Sequence, residues 1–414
     1  MLDGFYEKVL SRTFSLARGK IGSIAFYVSF VAVFLFRLYY TSMFPVIMEK
    51  PLFLAIPYYA GLMVLICLSG VAIIESFFQS KKEAVFLICI LLSALINAVL
   101  LRQFGYLLPF FVLIIASKNR CLRPVFILYI SICSVFLLIA YYASMNGYIP
   151  YLVYDRGYED LLSHAFGMNY RTTLACYVLC IIMCYAIVRA ERMHLWEYLM
   201  HWLVTYFMWR YTWSRTTCFC MVLFLVVLGI ILFFYHIKGR WIRIPKCISL
   251  IHAFCAAISF LAIFWWSTTG ESVNISDSVN TLKSRLSLSL QAFKMYPVNL
   301  FGNNITERSA AGIPDSAEEY FYLDILYVRI LFIGGIVLFI VYLSLMTIAT
   351  LKAIKNQQVI LSIALIIIAL DGIVESHFLT LSFNVFILYS LGSYGSGDKD
   401  LSLTLGRLRR NEIQ

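Results

Sequence analysis

The chain has 414 residues, of which 62% are hydrophobic and only 13% are charged, against about 25% charged residues in an average soluble domain. The charges stand in short clusters between apolar runs that are long enough to cross about 30 Å of hydrocarbon as helices. This pattern excludes an ordinary soluble enzyme, and the absence of alternating segments of about ten residues excludes a β-barrel. The net charge of +11 is too dispersed for a nucleic-acid surface, so no nucleic-acid partner is expected.

The apolar runs predict an all-α, polytopic integral membrane protein with about twelve transmembrane helices in a single multi-pass domain, 1–414. The fourth run is short and the seventh is amphipathic. The first run is too long for a signal-peptide core and lacks a small-residue cleavage site, so it is expected to remain as the first span. The predicted spans are 22–41, 52–74, 84–101, 104–116, 124–143, 171–188, 195–212, 216–236, 247–266, 323–350, 357–374 and 378–392.

Lysine and arginine are concentrated in alternate connections between these spans and in the two terminal segments, which together contain 21 of the 33 basic residues. Basic loops stay on the cytoplasmic side. Both termini, including the tail 393–414, are therefore expected in the cytoplasm. The loop 144–170 and one large loop, 267–322, are expected on the extracytoplasmic side. The large loop contains no cysteine, so no disulfide is expected there.

Four arginines are expected on the extracytoplasmic side, against the positive-inside bias. A guanidinium group suits phosphate because its planar fork donates two parallel hydrogen bonds and stays charged. The alternative is that these side chains snorkel toward lipid phosphates without specificity. The four are Arg171, Arg210, Arg215 and Arg285, of which Arg215 lies between two hydroxyls in Ser214-Arg215-Thr216.

The large loop contains a helical pattern near 281–296. Leucines and a phenylalanine recur there at spacings of four, four and three, which predicts an amphipathic helix at the membrane interface. Arg285 flanks this apolar stripe and is a candidate for a pocket mouth; the alternative is an ordinary surface arginine. The stripe consists of Leu282, Leu286, Leu290 and Phe293.

Acidic residues follow before the tenth span, and only the last of them, Asp324, is a site candidate. The others are expected to form a solvated loop face: Asp315, Glu318 and Glu319.

A third group, Asp371, Glu375 and His377, lies near the outer end of the eleventh span. Asp371 and Glu375 are four residues apart and so share one helix face. A histidine beside a carboxylate can act as a general base near neutral pH. The alternative is that the carboxylates pair with buried arginines and hold helices together. Glu197, inside the seventh span, is expected to have such a structural role.

The chain contains no GxxxxGK[ST], GxGxxG, HExxH or CxxC motif. Nucleotide, dinucleotide and zinc chemistry therefore lack support, and neither a cofactor nor a metal is expected.

Five short motifs follow one another over roughly residues 160–390. They are His164-Ala165-Phe166-Gly167-Met168-Asn169, Ser214-Arg215-Thr216, Ser284-Arg285-Leu286 with the turn 297–302, Asp324, and Glu375-Ser376-His377-Phe378 with Asn384. In this order, and with one large outer loop, they resemble the bacterial O-antigen and capsular polysaccharide polymerases (Wzy type), which are related to the O-antigen ligases. The chain departs from the family at Tyr170-Arg171, where Pro-Asn is frequent, and at Asp324-Ile325, where Asp-Asn is frequent.

The resemblance implies an inverting, metal-independent glycosyltransferase in a bacterial plasma membrane. It would transfer a polyprenyl-diphosphate-linked glycan chain onto a new lipid-linked repeat unit, for O-antigen, capsule or exopolysaccharide. Arg215 and Arg285 would hold the diphosphate, and His377 or Glu375 would take the proton of the acceptor hydroxyl. Membrane lipid, a chain-length regulator and a flippase of the same pathway are the implied partners. Further binding candidates are Arg171, Arg210, Asp324 and His164.

Two other classes stay open. A flippase or transporter of lipid-linked oligosaccharide shares the basic residues and the many spans. Such a carrier needs polar groups near the bilayer midplane, whereas the candidates here lie on one side. A lipid-facing acyltransferase would need an essential histidine within a span, which the histidine positions do not favour.

Overall fold

A bundle of α-helices makes up the computed structural model, which describes residues 19–49, 51–102, 104–154, 162–239, 241–269, 280–305, 307 and 321–395. Eight helices in this part of the chain are long and apolar enough to cross a membrane. The prediction of an all-α polytopic membrane protein is confirmed. The acidic positions Asp315, Glu318 and Glu319, and the tail from 396 onward, lie outside the described residues.

The helices, in chain order, are α1 (Lys20–Tyr40), α2 (Leu52–Gln79), α3 (Lys81–Leu101), α4 (Leu107–Ala116), α5 (Arg123–Met145), α6 (Arg171–Arg189), α7 (Leu195–Thr212), α8 (Arg215–Lys238), α9 (Ile251–Thr269), α10 (Asn280–Met295), α11 (Leu326–Arg329), α12 (Gly335–Lys355) and α13 (Val359–Asp371). A π-helical turn, Ile330–Gly334, joins α11 to α12. A short antiparallel hairpin, β1 (Val153–Tyr154) and β2 (Ser163–His164), precedes α6.

Three of the predicted spans are helices that are too short or not apolar enough to be counted among these eight. α4 has 10 residues and α13 has 13, so at about 1.5 Å per residue neither spans the hydrocarbon alone. Every residue of α4 is buried, so this helix lies inside the bundle. α7 is less apolar than the eight helices that could cross a membrane. It begins with a capping box, in which the Glu197 side chain accepts from the backbone N–H of His194.

The last predicted span, 378–392, is not an α-helix. It consists of two 3-10 segments, His377–Leu379 and Val385–Ser390, joined by turns. Neighbouring side chains bond its carbonyls: the Tyr129 hydroxyl donates to Ser382 at 2.7 Å and the Lys352 ammonium donates to Gly392 at 2.6 Å. Irregular backbone is tolerated at membrane depth only where protein surrounds it, and this segment is almost wholly buried. Its apolar composition therefore reflects burial in protein, not a lipid-facing helix.

The two ends of the bundle differ in their polar contacts. At one end, Lys118 pairs with Glu83 at 2.7 Å, and the backbone N–H of Ser393 donates to Arg120. At the other end, the backbone N–H of Asn169, just before α6, donates to Thr41, just after α1. We call the first the Lys118 end. We call the second the Arg329 end, because Arg329, the last residue of α11, lies there near the end of α1.

A tight turn at the Arg329 end packs against the π-helical turn. Gly302 has φ +91°, and a Cβ there would lie 2.1 Å from the carbonyl oxygen of Ile333. The Asn97 amide donates to the carbonyls of both Phe301 and Ile333, each at 2.7 Å. This contact fixes the backbone immediately after Arg329.

Candidate functional site

Four side chains predicted from the sequence meet at the Arg329 end: Arg285, Asp324, Glu375 and His377. We call them the Arg285 cluster. They come from α10, from the segment before α11 and from the connection after α13. The structure therefore joins residues that are far apart in the chain.

Arg285 is the centre of this cluster and is buried on the protein-facing side of α10. Its Nη2 lies 2.7 Å from Oε1 of Glu375, and its Nη1 donates to the carbonyl of Val374 at 2.6 Å. Its Nε lies 3.6 Å from Oδ2 of Asp324. Burial by itself would lower the pKa of Arg285, but the charges of Glu375 and Asp324 outweigh it, so the group stays positively charged.

A helix lies at the position of the predicted amphipathic segment, as α10, Asn280–Met295. Leu286 of the predicted stripe is buried, but Leu282 and Phe293 are exposed. Arg285 and Ser289 lie on the buried face instead, because the arginine finds its carboxylate partners there. The helix therefore docks through a polar contact as well as through leucine.

His377 lies beside the carboxylate of Glu375, with 3.7 Å between Nε2 and Oε2. The same nitrogen is 3.1 Å from the Thr172 hydroxyl of α6. Burial lowers the pKa of His377, and the positive charges of Arg329 and Arg285 offset the raising effect of Glu375. The neighbouring carboxylate of Glu375 does raise this pKa, but burial is the larger effect and the net shift is downward. His377 is therefore neutral at ordinary pH.

The two carboxylates of the third predicted group have separate environments. α13 ends at Asp371, and Glu375 lies in the turn that follows. The backbone N–H of Glu375 donates to the Asp371 carbonyl at 2.8 Å. Asp371 is fully buried beside the Cys220 thiol. Of the two, only Glu375 lies within ion-pair distance of Arg285. Asp371 and Glu375 therefore do not share a helix face as predicted, because the helix ends at Asp371.

Asp324 is the most exposed carboxylate of the Arg285 cluster. Burial, together with the negative charge of Glu375, raises the pKa of Asp324 to about 7, although Arg285 acts in the opposite direction. A carboxyl group with such a pKa exchanges protons near neutral pH. Asp324 is thus a second candidate for a proton acceptor within the site.

Arg329 adjoins the cluster and was not predicted from the sequence. Its Nη1 donates to the Ser376 hydroxyl at 2.9 Å, and its other contacts are the Tyr322 hydroxyl and the Glu307 carboxylate. Ser376 lies between Glu375 and His377, so Arg329 is tied to the same backbone turn. Burial raises the pKa of Glu307, while Arg329 acts in the opposite direction.

Arg171 and His164 lie at the same end but contact other groups. Arg171 donates to the Ser163 hydroxyl at 2.8 Å and packs on the rings of Tyr154 and Tyr170. His164, on β2, lies 2.7 Å from the Tyr151 hydroxyl. Among the described residues, neither side chain is within hydrogen-bond distance of the Arg285 cluster. The chain neighbour of Arg171, Thr172, contacts His377 through its hydroxyl.

Arg210 and Arg215 are exposed and bracket the turn between α7 and α8. Arg210 faces the ring of Tyr211, and Arg215 lies 5.2 Å from the ring centroid of Trp213. Neither is within ion-pair distance of the Arg285 cluster in the described part of the chain. Their role in binding a diphosphate stays a prediction.

A signal for the unpredicted residues exists in the sequence. Arg329 and Arg37 both stand inside predicted apolar spans, and an ionisable residue in such a run is costly unless it has a partner or a function. Glu307 carried no such signal, because it lies in a polar loop. Glu197, expected to have a structural role, accepts from Arg189 at 2.8 Å and from Tyr185, which agrees with that expectation.

The Arg285 cluster and Arg329 together form a buried polar site at one end of an apolar bundle. The site holds a neutral imidazole, a carboxyl that titrates near neutral pH and two guanidinium groups. Such a set can accept a proton and can stabilise negative charge. No family model, no curated protein sequence and no solved structure matches the chain.

Proposed function

We propose that the chain is a polysaccharide polymerase, a glycosyltransferase that moves a glycan chain from a polyprenyl diphosphate donor onto a second lipid-linked repeat unit. The observation that carries the proposal is the Arg285 cluster, in which His377 lies beside Glu375, the buried partner of the Arg285 guanidinium group. Both substrates are lipids that enter from the bilayer, which suits a site at the end of a membrane bundle. The ordered motifs that resemble the Wzy-type polymerases supply the substrate class.

In the proposed reaction, an acceptor hydroxyl oxygen forms a bond to the anomeric carbon of the donor sugar. The bond from that carbon to the phosphate oxygen breaks, and the leaving diphosphate keeps the electron pair. The acceptor proton moves to a protein base. The diphosphate is already an activated leaving group. The reaction therefore needs only the two substrates and one base on the protein.

His377 is the first choice for this base. Its side chain is 16% exposed, against 4% for Glu375, so it is the more accessible of the two. Its depressed pKa keeps it neutral, as a base must be before it accepts a proton. Asp324 is the second choice because its pKa of about 7 also suits proton exchange.

Glu375 and Arg285 act as positioning residues in this proposal. Glu375 is bound to Arg285 and lies beside His377, so the pair fixes the imidazole from one side. Because Arg285 already faces two carboxylates, its positive charge is largely compensated. We therefore propose that the main role of Arg285 is to position Glu375, and that contact with the donor is its secondary role.

The proposed location is a bacterial plasma membrane, with both termini in the cytoplasm and the Arg329 end outside. The alternating basic loops support this orientation. Reporter fusions at residues 102 and 240 test it. Fusions at these two positions should report opposite sides, with residue 102 outside.

A deletion strain tests the function itself. Surface glycan and lipid-linked intermediates are separated on gels, before and after complementation with the parent chain or with His377→Gln. Lost polymer with single repeats on the outer leaflet supports a polymerase. Repeats trapped on the inner leaflet identify a flippase and refute the proposal.

A further inference from the structure

A cavity of about 460 Å³ lies at the Arg329 end. It is bounded by the end of α1, by the turn at Gly105 and Tyr106, and by the end of α11 with the π-helical turn that follows it. Phe36 and Ile333 contribute apolar walls. The polar part of its lining consists of Arg37, Glu307 and Arg329. The cavity therefore has a charged part and an apolar part.

Arg37 supplies a guanidinium group with few protein partners. Its Nη1 donates to the carbonyl of Gly105 at 3.0 Å, and its centre lies 5.8 Å from the Tyr106 ring centroid. No carboxylate of a described residue lies within ion-pair distance of it. A half-buried arginine with one carbonyl partner retains most of its five N–H donors.

Arg329 supplies a second guanidinium group to the same cavity. Its side chain is 9% exposed, and its Nε has no hydrogen-bond partner among the described residues. A buried N–H without a partner is unfavourable, so a bound acceptor at this position would be stabilising. Its centre also lies 5.8 Å from the Tyr106 ring centroid, so both arginines are held against one aromatic side chain.

The charges of the lining favour an anion. Two guanidinium groups face a single carboxylate, Glu307. Glu307 is paired with Arg329, so the guanidinium group of Arg37 has no carboxylate partner among the described residues. Phosphate oxygens suit arginine because they accept paired hydrogen bonds. The apolar walls suit the first carbons of a lipid chain.

We infer that this cavity binds the phosphate headgroup of a membrane lipid through Arg37 and Arg329. Identification of that lipid as the polyprenyl diphosphate donor rests on the proposed function. The binding of a phosphate headgroup by the two arginines does not depend on it. Arg329 also donates to Ser376, the neighbour of His377. A headgroup held by Arg329 would therefore lie next to the proposed base.

Binding to purified full-length protein in neutral detergent tests the inference. The probes are farnesyl diphosphate, farnesol as the uncharged counterpart, and dioleoyl phosphatidylglycerol, each measured by calorimetry. The parent should bind farnesyl diphosphate and not farnesol. Arg37→Gln should weaken binding by about tenfold or more, because it removes a charge-assisted hydrogen bond. The matched control is Arg102→Gln, an exposed arginine at the same end, which should bind as the parent does.

Glu307→Gln is a second, independent variant. It removes the competing negative charge and should tighten binding of farnesyl diphosphate. Parental affinity in both Arg37→Gln and Glu307→Gln, or equal binding of farnesol, overturns the inference. Equal affinity for phosphatidylglycerol supports the cavity and identifies a phospholipid as its occupant.

The outcomes also separate the cavity from the proposed function. Tight, Arg37-dependent binding by a chain that makes no polymer supports the cavity and refutes the polymerase. Undiminished polymer and undiminished farnesyl diphosphate binding from Arg37→Gln overturn the cavity and leave the polymerase intact.

Discussion

Arg285 and Glu375 are 90 residues apart in the chain, yet Nη2 of the arginine lies 2.7 Å from Oε1 of the glutamate in a buried ion pair. The contact joins the interface helix α10 to the turn that carries His377. The two side chains are 10% and 4% exposed, so neither is solvated if the other is removed. If the proposed function holds, this one interaction serves both stability and the positioning of the base.

This pair predicts an asymmetric response to substitution. Arg285→Gln leaves Glu375 buried without its main partner and should destabilise the protein by about 3–5 kcal/mol. The double variant Arg285→Gln/Glu375→Gln removes both charges and should recover part of that loss while remaining inactive. Thermal unfolding in detergent measures the stability, with Arg102→Gln as the exposed control. A double variant no more stable than Arg285→Gln would contradict the pairing.

His377→Gln should reduce turnover by about 10²–10⁴-fold, the range typical of a lost general base. The Michaelis constant should change little, because glutamine keeps a polar side chain of similar reach. The control is His236→Gln, an exposed histidine near the end of α8, which should behave as the parent. Turnover with purified lipid-linked substrate measures both. Near-parental turnover in His377→Gln would remove this residue from the mechanism.

The dependence of turnover on pH distinguishes the two candidate bases. A base works only when unprotonated, so turnover falls as the pH is lowered through its pKa. The pKa of His377 is lowered by burial, so a histidine base gives a midpoint below its usual value of about 6.5. Asp324 as the base gives a midpoint near its own pKa of about 7.

The measurement is turnover across pH 5–9, for the parent and for Asp324→Asn. An acid limb below 6.5 that persists in Asp324→Asn supports His377. A limb near 7 that disappears in this variant assigns the base to Asp324 instead.

Gly302→Ala should destabilise the Arg329 end. The residue has φ +91°, and its added Cβ would lie 2.1 Å from the backbone oxygen of Ile333. A side chain in that conformation costs about 1–3 kcal/mol before any clash is counted. Gly70→Ala is the control, since nothing lies within 4 Å of a Cβ there. A lower unfolding temperature in Gly302→Ala alone would confirm the tight approach, and equal temperatures would disprove it.

The fold was predictable to the extent that hydropathy determines it. Long apolar runs such as that of α8 became helices, because lipid leaves the backbone no other way to pair its polar groups. The stretch 378–392 has the same composition but a different structure, since surrounding protein supplies its hydrogen bonds. Hydropathy measures the polarity of a segment and does not distinguish lipid from protein as its surroundings.

The site was predictable in its chemistry but not in its pairing. Arg285, Asp324, Glu375 and His377 were candidates because charged groups near a membrane face are costly. Which of them meet depends on the docking of α10, and spacing within the sequence does not encode that. Arg215, a strong candidate from its neighbouring hydroxyls, stays exposed. Its local motif describes a turn and says nothing about distance to the other arginines.

The irregular last crossing has a consequence for biogenesis. A segment that leaves carbonyls such as that of Ser382 to be bonded by distant side chains cannot partition into lipid from the translocation channel by itself. Tyr129 of α5 and Lys352 of α12, which bond it, are synthesised earlier and must already be in place. The order of synthesis thus supplies the partners before the segment that needs them.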